Sequence, residues 1–245
     1  MKILSIGNSF SQDAQRYLHA IAKANSEEIK CINLFIGGCT LRQHYLNIID
    51  DEKKYRFEFN GENTGLMVSV REVLKSDNWD VITLQQGSHE SFNFENYTPY
   101  IEYVAEYVKK YSPKSKILLH KTWAYPDNRK RLFEVGYKTT AEMFADVDKA
   151  YKKAFSAIKA DGMTLSGNAM LTAYEKNKEI VYRDEIHASL GFGRYMIGLV
   201  WFLTLFEHKK VVKHIDEFDE ALTEDEKKLA LEIACEATEH CLFNL

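Results

Sequence analysis

The 245-residue chain is poor in several things, and each shortage narrows the field. Four cysteines, Cys31, Cys39, Cys235 and Cys241, show no CxxC spacing. They are too few and scattered for a disulfide framework, and buried thiols in a reducing, cytoplasmic setting fit them best. No apolar run approaches the ~18 residues of a membrane span. The strongest, Tyr195 to Phe206 (YMIGLVWFLTLF), reads as a buried helix. The N-terminus is a strand pattern without a cleavage site, so no signal peptide is visible. Charge of one sign is not in excess: the net value is -4, and no basic face with interleaved aromatics argues for nucleic acid. With three prolines and twelve glycines, no repeat, linker or low-complexity run appears, so residues 1–245 are expected to form one domain.

What is present is 45% apolar residues, enough for a substantial core. Four segments have the branched-apolar character of strands buried on both faces: KILSI (2–6), IKCINLFI (29–36), DVITLQ (80–85) and KILLH (116–120), with a weaker fifth at 163–165. Between them, residues 14–24, 99–111 and the stretch from Tyr137 to Ile158 carry apolar side chains at helical spacing. Residues 54–65 alternate Tyr55, Phe57 and Phe59 before a Gly-rich turn and suggest a small hairpin or rim. Thr223 and Glu226 form a capping box ahead of a C-terminal amphipathic helix. Strand and helix in alternation predict a doubly wound α/β sheet, in which ligands bind beyond the carboxyl ends of the strands.

The first strand runs straight into Gly7-Asn8-Ser9-Phe10-Ser11. These residues can be a turn and a helix cap, with Asn8, Ser9 or Ser11 as the capping group. Alternatively Ser9 is a nucleophile at a strand-to-helix corner. Far downstream, Asp184 and His187 stand three apart, a spacing that lets a carboxylate orient an imidazole whose second nitrogen takes a hydroxyl proton. Gly37-Gly38-Cys39-Thr40 follows the second strand and Gln86-Gly87-Ser88-His89 the third, each a source of donors for an oxyanion. As separate features these are turns and surface loops. Together they fill every role that acyl transfer requires.

With these blocks the sequence resembles the SGNH superfamily of GDSL-type esterases and lipases. Gly7-Asn8-Ser9-Phe10 is similar to its first block, Gly38 to its second-block glycine, and Asp184-Glu185-Ile186-His187 to its DxxH block. IGNSFS, IGGCTLRQH, DVITLQQGSHES, HKTWAYP and RDEIHASLGFGRYM more closely resemble a bacterial branch catalogued as a domain of unknown function. The resemblance implies a flavodoxin-like α/β/α sandwich, here with a central parallel sheet of about five strands. It also implies Ser9 as nucleophile, His187 as base and Asp184 as its orienter, with the N–H groups of Ser9 and Gly38 in an oxyanion hole. The family's third block, Gly-x-Asn-Asp, is replaced by Gly87-Ser88-His89-Glu90, so Gln86 or His89 is left to supply the third donor.

Trp123 and Tyr125, after the fourth strand, and Tyr182, beside the Asp-His turn, are candidates to wall the pocket and stack on a sugar ring, or else to plug the sheet edge. Cys39 reads as a small residue packed behind its turn, with no basic partner nearby in sequence. His44, His120 and His214 lack metal-ligand spacing and read as structural or solvated, so no metal is expected. A phosphate-cradling loop at GNSFSQDA, as in flavin-binding proteins of this topology, leaves the Asp-His turn unexplained, and no cofactor is expected. The expected function is hydrolysis of small carboxylic esters, possible carbohydrate O-acetyl groups among them, through an acyl-serine. The alternative is a catalytically weak or inactive member that binds a ligand in the same cleft.

Overall fold

A computed structural model describes residues 1–209 and 211–239. Cys241 lies outside the described residues. The five anticipated strands are β1 (Lys2–Gly7), β2 (Lys30–Phe35), β5 (Val81–Leu84), β6 (Lys116–His120) and β7 (Gly162–Thr164). They are parallel and lie side by side in the order β2-β1-β5-β6-β7. The expected all-parallel sheet of about five strands is nevertheless incomplete. Residues 54–65 do enter a hairpin, and it belongs to the sheet: β3 (Tyr55–Phe59) and β4 (Glu62–Val68) pair antiparallel and extend the β2 edge into a seven-stranded mixed sheet. Asn60 and Gly61, both at positive φ (49° and 84°), make the two-residue turn, a geometry for which Asn-Gly is the favoured pair.

Among the described residues, ten α-helices connect and cover these strands: α1 (Ser9–Gln15), α2 (Leu18–Ala24), α3 (Leu41–Asp50), α4 (Val70–Leu74), α5 (Tyr100–Tyr111), α6 (Lys130–Glu134), α7 (Thr140–Ile158), α8 (Ser166–Lys176), α9 (Phe192–Leu205) and α10 (Glu224–Ala237). The helices α1, α2, α8, α9 and α10 pack together on one face, and α3, α4, α5 and α7 on the other. The first helical stretch starts earlier than its apolar spacing suggests, because Asn8 caps at Ser9, and it breaks between Gln15 and Leu18. The YMIGLVWF run lies in α9 and is buried from Tyr195 to Leu203. Thr223 and Glu226 form the anticipated capping box of α10. Among the described residues no helix is long and apolar enough to cross a membrane.

At the carboxyl ends of four strands, side chains form a continuous rail. His120 Nδ1, ending β6, is 2.8 Å from Gln85 Oε1; Gln85 Nε2 donates to Asn8 Oδ1 at 2.7 Å; Asn8 Nδ2 donates to Cys39 O at 3.1 Å, beyond β2. Asn8 Oδ1 also accepts from Phe10 N–H at 2.9 Å, the helix cap. That contact sets every direction along the rail: Gln85 must turn its NH₂ toward Asn8, which leaves its oxygen for His120, so Nδ1 carries the imidazole proton.

Burial holds both His120 and His44 neutral, with pKa values lowered to about 3. In the unfolded chain each takes a proton near pH 6.5. The stability tied to the neutral rings is therefore complete above that value and is lost as pH falls toward the folded pKa. Urea unfolding should show a loss of about 4 kcal/mol between pH 7 and pH 5 from the two together; a flat profile over that range contradicts the assignment. At pH 7, Asn8→Asp should cost about 1–3 kcal/mol, although Asp caps helices as well as Asn, because a carboxylate cannot donate to Cys39 O. Unchanged or greater stability in that variant would show that only the cap matters.

Candidate active site

Three polar residues compete for the corner after β1, and local geometry separates them. Asn8 caps α1 through its side chain, and Ser11 completes the box by accepting from Asn8 N–H at 3.0 Å. Ser11 is buried and also donates to Asn33 Oδ1 at 2.8 Å. Ser9 takes no part in capping. As the first residue of the helix its N–H has no intrahelical acceptor, and it has no other among the described residues. Gly7 is needed at the corner: a Cβ there would lie 2.0 Å from Ser11 Oγ.

The Asp-His segment forms a tight loop closed by a bridge between Tyr182 and Ala188. Asp184 Oδ1 accepts from the backbone N–H groups of Ile186 and His187, both at 2.8 Å, and Oδ2 lies 2.8 Å from His187 Nδ1. Burial pushes the Asp184 carboxyl up, but these three donors outweigh it and the net shift is downward. An ionised carboxylate only accepts, so His187 carries its proton on Nδ1 and presents the Nε2 lone pair. That nitrogen is 2.9 Å from Ser9 Oγ, although the two residues are 178 apart in sequence. The arrangement leaves the serine hydroxyl within hydrogen-bond reach of an imidazole nitrogen that can take its proton.

Ser9 and His187 open on a cavity of about 610 Å³ at the carboxyl ends of β1, β2 and β5. Gly38 lines it with φ at +64°, and its N–H has no acceptor among the described residues. Gln86 does not line it. Its Oε1 accepts from Leu41 and Gly87 N–H, both at 2.8 Å, and its Nε2 donates to Asn96 O at 2.8 Å, so the amide is already committed. His89 lines the cavity, is exposed, and makes no side-chain hydrogen bond among the described residues.

The three aromatic candidates divide. Tyr125 lines the cavity with its hydroxyl 2.9 Å from Ser88 Oγ. Trp123 does not: it is fully buried, stacked on Phe10 at 3.9 Å, with Nε1 donating to Ile186 O at 2.8 Å. It has no free face for a sugar and instead supports the ring of Phe10, whose centroid lies 5.9 Å from that of the His187 ring at a steep angle of 65°. Tyr182 also stays outside the cavity, donating to Ala124 O at 2.9 Å. Residues that sequence reasoning passed over include Phe35, ending β2, and Arg131, Glu134 and Val135 around α6. Phe35 at the end of an apolar strand was a legible signal; α6 offered none. Its backbone is tied to the Asp-His loop by Arg131 N–H donating to Glu185 Oε2 at 3.2 Å.

Cys39 does have a basic neighbour in space, since His44 Nδ1 is 3.4 Å from its sulfur. Burial raises the thiol to about 12 and keeps the imidazole neutral, so Cys39 is a packed thiol rather than a nucleophile. Among the described residues no cluster of three or more His, Cys, Asp or Glu is arranged to hold a metal. A larger cavity, about 1260 Å³, opens at the opposite ends of β5, β6 and β7 around Asp80, Lys116 and Asp161. It contains neither Ser9 nor His187 and lies at the amino ends of the strands, away from where such sheets bind ligands.

Comparison with solved structures supplies relatives for this fold. A DUF4886 family protein from Bacteroides uniformis is 27% identical, with 100% of this chain and 98% of that one covered at a TM-score of 0.88. A protein from Slackia heliotrinireducens described as a candidate SGNH hydrolase is 22% identical, covering 84% and 98%, at 0.60. A family 3 carbohydrate esterase from Talaromyces cellulolyticus is 10% identical, covering 85% and 97%, at 0.57. The last two show likeness of fold alone. A search of curated proteins finds no match. The sequence family described as a domain of unknown function, DUF4886, matches residues 2–237, and this chain, with the fold shared by the SGNH and GDSL-type hydrolases, belongs to it.

Proposed function

We propose that the protein is a serine esterase acting on small carboxylic esters. The single observation that supports this most is the hydrogen-bonded line Asp184–His187–Ser9, with contacts of 2.8 and 2.9 Å, opening on a cavity beside unpaired backbone donors. Ser9 Oγ attacks the ester carbonyl carbon as its proton passes to His187 Nε2. Negative charge developing on the carbonyl oxygen is met by the N–H groups of Ser9 and Gly38. His187 then gives its proton to the leaving alkoxide, the alcohol departs, and an acyl-serine remains. Water, deprotonated by the same nitrogen, releases the acid and restores Ser9. Asp184 keeps the Nδ1–H tautomer throughout and stabilises the transient imidazolium.

Because the Gln86 amide is committed elsewhere, His89 is the side chain we assign as third donor to the oxyanion. The cavity wall includes Phe10, Phe35, Tyr125, Val135 and Ile186, which suit a compact apolar acyl or alkyl group. With Trp123 and Tyr182 outside the cavity, the aromatic argument for carbohydrate O-acetyl groups rests on Tyr125 alone. One observation favours a second reading, binding without efficient turnover: the position aligned with the third-block asparagine is occupied by His89.

Turnover of p-nitrophenyl acetate separates the readings. The wild type should hydrolyse it, Ser9→Ala should abolish hydrolysis while remaining folded, and equal rates in the two would sink the esterase proposal. His89→Ala should lower kcat about a hundredfold, the usual size for loss of one oxyanion donor. An unchanged kcat would remove His89 from the hole.

A further inference from the structure

Asp13 stands four residues beyond Ser9, so the two side chains project from the same face of α1. Asp13 is wholly buried, an expensive place for a carboxylate unless it is paired. Both of its oxygens take Arg183 Nη1, each at 3.0 Å, and Oδ1 takes Arg194 Nε at 2.8 Å. Arg183 immediately precedes Asp184. Its guanidinium also donates to Ala188 O, and its backbone N–H donates to His187 O at 3.1 Å. One arginine therefore closes the Asp-His loop from within and hangs it from the helix that carries Ser9.

The loop meets α1 at two points: His187 on Ser9 and Arg183 on Asp13, four residues apart on each partner. A single contact fixes a distance but leaves the loop free to pivot about it; a second, one helical turn away, removes that freedom. Charges alternate outward from this clamp. Arg194 reaches Asp219 at 2.7 Å, and Arg16 reaches both Asp219 and Glu62 at 2.5 Å, so three arginines balance three carboxylates. Neither Asp13 nor Arg183 lines the cavity.

We propose that Arg183, anchored on Asp13, is a positioning residue that sets the register of His187 against Ser9. The inference rests on the esterase reading above. Acting through His187 rather than on substrate, it predicts a loss in kcat with KM unchanged. A displacement of about 1 Å between base and nucleophile is enough for roughly a hundredfold. Asp13→Asn is a poor test, since it leaves two arginines short of an anion and threatens folding. All these bonds leave one nitrogen, Nη1, so Arg183→Lys keeps the charge and a donor but, on a flexible stem without the planar guanidinium, holds that donor less rigidly, and Arg183→Met removes both contacts while Asp13 retains Arg194.

The experiment measures kcat, KM and thermal midpoint for p-nitrophenyl acetate hydrolysis in the wild type, Arg183→Lys, Arg183→Met and Arg16→Met, the last breaking only the outer end of the charge chain. Expected are kcat losses of about tenfold in Arg183→Lys and a hundredfold in Arg183→Met, with KM within twofold, while Arg16→Met lowers the midpoint and leaves kcat alone. If the wild type turns over and both Arg183 variants keep its kcat, or if Arg16→Met loses kcat equally, the positioning role is overturned and the esterase reading stands. A wild type without turnover overturns both.

Discussion

One carboxamide, that of Asn8, ties together the pieces on which the candidate site depends. Its oxygen caps α1 and so sets where Ser9 lies, while its nitrogen holds Cys39 O and with it the turn that carries Gly38. The same oxygen takes Gln85, which is fixed in turn by His120. Four strand ends are thereby joined by directional bonds that allow one arrangement of donors and acceptors. An apolar core sets the approximate spacing of strands. A buried polar rail of this kind fixes where loops leave them, because each unmade hydrogen bond there would cost the desolvation of its group.

The antiparallel hairpin serves the same corner from the other side. Glu58 on β3 is buried; it accepts from Asn33 Nδ2 on β2 at 2.8 Å and Gln12 Nε2 on α1 at 2.5 Å. Asn33 passes the connection to Ser11, which completes the helix cap. Burial raises the Glu58 pKa despite these donors. The added strands thus do more than cover an edge: they deliver a polar side chain that braces the helix beginning at Ser9. The clamp from Asp13 to Arg183 acts on the far side of that helix, so α1 is held by the sheet behind it and by the Asp-His loop in front.

Much of this was legible because it depends on local pattern. Short apolar runs announced the five parallel strands, and the helical spacing of Tyr100, Tyr103, Val104 and Tyr107 announced α5. The Ser9, Asp184 and His187 blocks could be picked out by type and order, yet their approach across 178 residues is a tertiary fact. Residues 54–65 showed alternation and the Asn60-Gly61 turn, but a hairpin pattern does not reveal whether it docks on a sheet edge. Trp123 and Tyr182 misled for a related reason: an aromatic after a strand looks the same whether it faces a cavity or, like Trp123, stacks beneath a neighbour. Nothing in the sequence separates Gln86 from His89 as donors; the partners of the Gln86 amide, Leu41, Gly87 and Asn96, are tertiary facts.

The central claim is that Ser9 is an activated nucleophile facing a working oxyanion site. The most direct measurement is covalent labelling of the intact protein by a fluorophosphonate, read by mass spectrometry and peptide mapping beside Ser9→Ala. The account predicts a single adduct on Ser9 that is absent from the variant. A folded wild-type protein that takes no label would contradict it, and would leave the cavity as a binding site behind a well-capped helix.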